Sequence, residues 1–202
     1  LAMQGYARLS PAALRGFVGL SARELTALAA AWKNLPADRY LRDGGRYRFR
    51  RHACFTLSAP FQALVDAPRR AHWQPTTYNA LHGGLTRWFE PFDTALAGAA
   101  AFRRILTRLG QTLAPLRGTR RWYIEAHQFR IDPHEGIGRP TPEGAHRDGV
   151  DFVAIIMMGR VGVRGGETRV FDSQGDTGVR FTMRDRGATL LLDDRRVIHE
   201  TT

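Results

Sequence analysis

A chain of 202 residues with 43% hydrophobic and 24% charged residues has the composition of a globular protein with one substantial core. The longest apolar run, 153–158, is far short of a membrane span; Leu1-Ala2-Met3-Gln4 lacks the order of a secretory signal; and one cysteine, Cys54, excludes a disulfide framework, so a cytoplasmic location is expected. The net charge of +11 is almost all arginine, Lys33 being the only lysine, and it is scattered in short groups such as Arg46, Arg48, Arg50 and Arg51, which makes a nucleic-acid partner the weaker reading.

Along the chain, Ser10-Pro11 pairs a capping residue with a proline suited to the first helical position. Ser21-Ala22-Arg23-Glu24 has the form of a capping box, and Leu25, Leu28, Ala29 and Trp32 follow at helical spacing. Asp43-Gly44-Gly45 is a turn. After it, Tyr47, Phe49, Arg51, Ala53 and Phe55 alternate with Arg46, Arg48, Arg50 and His52, as in a half-buried strand. Leu96, Phe102, Ile105, Leu106 and Leu109 form the apolar stripe of a helix predicted over about 94–113. From Arg121 onward the pattern is of strands: 122–131, 150–158, 167–171 after Gly165-Gly166, 180–183, 188–192 and 197–201. The 150–158 segment is apolar on both faces, which predicts a central strand. Short strands without intervening helices indicate a sandwich or barrel. The expected architecture is one domain over 1–202, mainly β with flanking helices, in which a helical part (about 1–118) packs on a jelly roll (about 119–202).

The chemistry gathers at His146-Arg147-Asp148. On a strand, residues two apart share a face, so an imidazole and a carboxylate converge. His199, in the last predicted strand, supplies a third donor. Two histidines and one carboxylate on one side of a metal are the pattern of non-haem iron(II) oxygenases. With 7 histidines and 12 aspartates in 202 residues, a His-x-Asp pair arises by chance roughly 0.4 times, so the spacing alone carries little weight.

The surrounding stretches carry more. Pro-Thr-Pro-Glu-Gly-Ala-His-Arg-Asp-Gly-Val-Asp-Phe-Val-Ala-Ile (140–155), Gly-Gly-Glu-Thr-Arg-Val-Phe-Asp (165–172) and Leu-Leu-Leu-Asp-Asp-Arg-Arg-Val-Ile-His-Glu-Thr-Thr (190–202) stand in this order. Tyr78-Asn79-Ala80-Leu81-His82-Gly83-Gly84 precedes them. Together they resemble the bacterial iron(II)/2-oxoglutarate dioxygenase family that contains the free L-amino-acid hydroxylases, such as isoleucine 4-hydroxylase, and the BsmA-like biofilm and stress proteins. The resemblance implies a double-stranded β-helix of cupin-like form, with His146, Asp148 and His199 as catalytic metal ligands. It implies iron(II) as the metal, 2-oxoglutarate as cosubstrate and dioxygen as co-reactant. The implied reaction is hydroxylation, or sulfoxidation, of a free L-amino acid or similar small metabolite. Relatives grip 2-oxoglutarate with an arginine on the strand after the second histidine; that arginine and the closing strand are expected beyond Thr202. A non-catalytic BsmA-like protein that keeps the fold is the alternative, and a nucleic-acid-directed oxygenase a weaker one.

Gln128, on a strand face with Trp122, Ile124 and Ala126, is a candidate for the cosubstrate or substrate, against the plainer reading of a buried glutamine satisfied by backbone. His127, beside Tyr123 and Glu125, is expected to be structural or exposed, and Cys54 buried and inert. Asp194 and Glu200 are candidates for orienting the two histidines. His134-Glu135 is expected to lie in a solvated loop before the metal strand.

Overall fold

The computed structural model describes residues 1–133, 136–175 and 177–202. His134-Glu135 lies outside the described residues.

A strand absent from the sequence reading, β1 (Tyr6–Leu9), precedes the helices. Ser10 then accepts the backbone N–H of Ala13, with Pro11 in the first turn, and opens α1 (Pro11–Val18). Ser21 and Glu24 close the reciprocal capping box of α2 (Ala22–Ala29), which runs into a 3-10 turn, Ala30–Trp32. The box holds the Glu24 carboxylate down at about 2, through the Ser21 backbone N–H, Arg104 and the Ser21 hydroxyl.

The alternating stretch forms β2 (Arg48–Ser58), and β3 (Leu64–Asp66) pairs with its end. The predicted helix at 94–113 is two helices, α3 (Thr94–Ala97) and α4 (Ala100–Arg117), interrupted at Gly98. Leu96, Ile105 and Leu109 are buried as predicted. The remaining strands are β4 (Arg121–Ile131), β5 (Phe152–Ile156), β6 (Glu167–Asp172), β7 (Gly178–Thr182), β8 (Thr189–Asp193) and β9 (Val197–Thr201).

They form three antiparallel sheets of three strands, ordered β1-β8-β5, β3-β2-β4 and β7-β6-β9. The apolar 150–158 segment is therefore not central: β5 is at the edge of its sheet, and β8, buried at all five positions, is the middle strand. Its two faces serve different neighbours. Leu190 and Leu192 meet Val170 of β6 and Val197 of β9, whereas Leu191 joins the helical core with Leu14, Ile105 and Leu109. Truncating either fully buried leucine to alanine is expected to cost about 2–5 kcal/mol.

Two further expectations are corrected. On β2 the polar face is the more buried one: Arg48, Arg50 and His52 are 3–4% exposed, while Phe49, Arg51 and Ala53 are intermediate. His146-Arg147-Asp148 is not part of a strand; His146 makes a single isolated antiparallel bridge to His199. No described helix is long and apolar enough to cross a membrane.

Candidate metal centre

The loop before β5 is shaped by a carboxylate from the β8–β9 turn. Asp194, 2% exposed, accepts the backbone N–H groups of Asp148 (3.0 Å), Gly149 (2.7 Å) and Val150 (3.0 Å). Burial raises its pKa, the nearby Asp148 charge adds to that, and the three amides pull the other way. Gly149 turns with φ at +80°, and a Cβ there would stand 2.6 Å from the Tyr78 ring. Only glycine fits that position.

His146 is fixed from the opposite side. Its backbone exchanges two hydrogen bonds with His199, at 3.0 and 2.9 Å. Its Nδ1 lies 2.9 Å from the Gly144 carbonyl oxygen. A carbonyl only accepts, so Nδ1 carries the proton and Nε2 presents a lone pair. His199 arrives on β9, opposite Val170.

These three side chains meet. Nε2 of His146 is 3.8 Å from Oδ1 of Asp148, and Nε2 of His199 is 3.8 Å from Oδ2. One donor atom from each lies within 4.8 Å of the other two. Such gaps are too long for hydrogen bonds. A small inward movement would let one ion span them with bonds of about 2.0–2.2 Å. Burial pushes His199 down to about 4, with Asp148 pulling against it and His146 adding to it. It is thus neutral near pH 7, the state in which imidazole ligates. The Nδ1 of His199 is buried without a partner among the described residues. Two imidazole nitrogens and one carboxylate oxygen fit iron(II).

Behind the triad lies a polar layer that the sequence reading missed. Gln74 donates through Nε2 to Oδ1 of Asp148 at 3.0 Å, and its Oε1 accepts from Arg87 (2.8 Å) and Asn79 (3.3 Å). Asn79 also donates to Glu143, whose Oε1 is 3.7 Å from Nε2 of His146. His82 stands 3.8 Å from the other Glu143 oxygen. The 78–84 motif held the signal for Asn79 and His82, and the 140–155 stretch that for Glu143; no motif marked Gln74. A cleft of about 220 Å³ opens beside His146, Arg147, Glu143 and Tyr78.

The other candidates sit elsewhere. Gln128 is 1% exposed and donates to the Ala31 carbonyl at 3.1 Å, on the face of β4 that packs against the helices through Trp122 and Ala126. His127 points to the opposite face, where it meets Glu125. Glu200 pairs with Arg169 at 3.1 Å, away from the imidazoles, and Asp194 holds the Asp148 backbone and not a histidine ring. Cys54 is buried.

The sequence matches the family described as 2OG-Fe dioxygenase over residues 29–202. A bsmA homologue from Methylobium petroleophilum PM1 is 53% identical, with a TM-score of 0.95, covering 100% of this chain and 81% of its own. IDO from Bacillus thuringiensis (16% identity, TM-score 0.76, 100% of this chain and 82% of its own) shares the fold. So does the Fe(II)/(alpha)ketoglutarate-dependent dioxygenase TqaL (20%, TM-score 0.66, 98% and 74%). A comparison with curated proteins gives no match. The family uses iron(II) and 2-oxoglutarate, which agrees with the donor set of His146, Asp148 and His199. The match over 29–202, with 53% identity to a solved relative, shows that the chain belongs to the 2OG-Fe dioxygenase family.

Proposed function

We propose that this protein is an iron(II)- and 2-oxoglutarate-dependent oxygenase that hydroxylates, or sulfoxidises, a free L-amino acid or a similar small metabolite. In this reading the strands form a jelly roll, and His146, Asp148 and His199 hold the iron. The convergence of those three donors within 4.8 Å carries the reading. Bound iron and 2-oxoglutarate would supply oxidation of an unactivated carbon at the expense of decarboxylation to succinate.

The chain's own residues do the positioning. Gly144 sets the His146 tautomer, burial keeps His199 deprotonated, and Gln74 fixes the rotation of the Asp148 carboxylate. Asp194 holds the 148–150 backbone, so the carboxylate does not drift from the imidazoles. The cleft beside His146 is where a small substrate would enter.

The 53% identity to a bsmA homologue favours one other reading, a BsmA-like stress or biofilm protein without turnover. The two are separated by measuring succinate formation with added iron(II) and 2-oxoglutarate across the twenty amino acids. The oxygenase reading expects succinate to depend on a particular amino acid and to fall to background in Asp148→Ala. A full panel with no stimulated turnover in iron-loaded protein favours the non-catalytic reading.

A further inference from the structure

A second group of ligand-type side chains lies on the face of β2 and β4 turned away from the helices. The two strands pair with His52 opposite His127 and Cys54 opposite Glu125. Directly opposed residues on antiparallel strands share a face, so four such groups form a patch on one sheet. His72 comes down on this patch from a segment bridged to Arg87. Three of the 7 histidines and the only cysteine of the chain are here. One donor atom from each of His52, His72, Glu125 and His127 lies within 4.8 Å of the others.

Glu125 is the hub. Its Oε2 is 2.6 Å from Nδ1 of His72, 3.5 Å from Nε2 of His52 and 3.7 Å from Nε2 of His127. Its Oε1 is held by Arg70 at 2.6 Å. Arg50 approaches Nδ1 of His127 at 2.7 Å. A guanidinium only donates, so the His127 proton sits on Nε2 and faces Glu125. His127 thereby turns an N–H and not a lone pair toward Glu125, and is not a ligand. That leaves Oε2 of Glu125 with His52 and His72.

We propose that His52, His72 and Glu125 form a second divalent-cation site, of the zinc(II) class, that pins the segment carrying His72 to the β2–β4 sheet. Imidazole nitrogens and a carboxylate oxygen suit zinc, with bonds of about 2.0–2.2 Å. Tetrahedral ligands at that length stand about 3.3 Å apart. The 3.5 Å separation of His52 and Glu125 is close to this, and the 2.6 Å hydrogen bond from His72 widens once its Nδ1 proton leaves. The neighbours set the strength. Arg50, Arg70 and Arg87 oppose a cation, and Asp38, 3.8 Å from Arg50, offsets part of that. Micromolar affinity is expected, weaker than that of a thiolate-rich structural zinc site. Gln74 follows His72 by two residues and holds Asp148, so the ion would steady the segment that orients the triad carboxylate.

The site stands on this geometry and does not depend on iron at His146, Asp148 and His199. Full-length protein is stripped with chelator, dialysed against zinc(II), and its bound metal counted. Two equivalents are expected in the wild type, one in Asp148→Ala, one in His72→Gln and none in the double variant. An Asp148→Ala protein that binds no zinc and gains no Tm from it overturns the proposal. So does an equivalent that persists in the double variant. A single wild-type equivalent that His72→Gln loses and Asp148→Ala keeps supports this site and overturns the triad assignment instead. If His72→Gln loses its native circular dichroism, Glu125→Gln takes its place, since it removes the charge and keeps the shape.

Discussion

Among the described residues lie two groups of histidines and a carboxylate, and they differ in what the carboxylate already does. At Asp148 each oxygen faces an imidazole nitrogen across 3.8 Å without a hydrogen bond, and the orienting partner is the neutral amide of Gln74. At Glu125 the carboxylate is engaged by Arg70 and His72, both at 2.6 Å. Burial would raise the Glu125 pKa, yet the imidazoles of His127, His52 and His72 gathered around it, His72 by a hydrogen bond, hold it far below the usual carboxylate range. The first arrangement leaves its lone pairs for an ion; the second must first give up a proton bond. Iron is therefore expected to bind at Asp148 much more tightly than any cation at Glu125. Between them lie Arg50, stacked 3.7 Å from the Phe89 ring centroid and 4.2 Å from that of Phe129, and Arg87 on Gln74. These buried guanidiniums also show that the formal charge of +11 is not all surface charge.

The sharpest way to break this contrast is Asp194→Ala. It removes the acceptor of three backbone N–H groups beside Asp148. Asp194 is buried while Gly149 and Val150 are exposed, so their amides can turn to water and a loss of about 1–3 kcal/mol in all is expected in urea unfolding. Metal affinity at the triad should fall about 10–100-fold, with the zinc count at Glu125 unchanged. Equal losses at both groups would mean that the variant damages the fold at large and not the triad loop.

The buried cation layer makes a pH prediction of smaller size. His82, 1% exposed, is pushed down to about 4 by burial, Arg48 and Arg87, from an ordinary 6.5. The unfolded chain therefore takes up this proton first. Metal-free protein should lose stability as pH falls from 6.5 toward about 4, with no contribution from His82 above that window. The ceiling is roughly 3 kcal/mol, at about 1.4 kcal/mol per pH unit. His82→Gln should flatten that limb of the profile. Parallel profiles for the two proteins over the window would refute the assignment.

How much of this could be seen in the sequence follows from how local each signal is. The capping box at Ser21, the α4 stripe and strands β4 and β6 to β9 were legible because neighbours within a few residues define them. His146, Asp148 and His199 stood out through the family's motifs. β1 was not legible: Tyr-Ala-Arg-Leu has no alternation, and only pairing with β8 makes it a strand. The inner face of β2 was misread because arginine and histidine were assigned to solvent, whereas Asp38, Phe89 and Phe129 make burial tolerable for them. The Glu125 group depends on β2–β4 register across some 70 residues, and no spacing along the chain encodes it.

Gln74→Leu is the subtlest test of the contrast, because Gln74 is the link between the two groups. Its Nε2 reaches Asp148 at 3.0 Å, and His72 precedes it by two residues. Leucine keeps the bulk, frees the Asp148 carboxylate to rotate and strands the Nη2 of Arg87, which had donated to Oε1. A loss of about tenfold in triad metal affinity is expected, the lower end of what partners behind a ligand contribute. Zinc at His72 should be nearly unaffected, since none of its donors changes. The reverse experiment sharpens the point. If zinc steadies the segment, it should tighten triad metal binding in the wild type, and this coupling should vanish in Gln74→Leu. Coupling that survives the substitution would show that the two groups communicate by another route, and the Gln74 bridge would then be incidental.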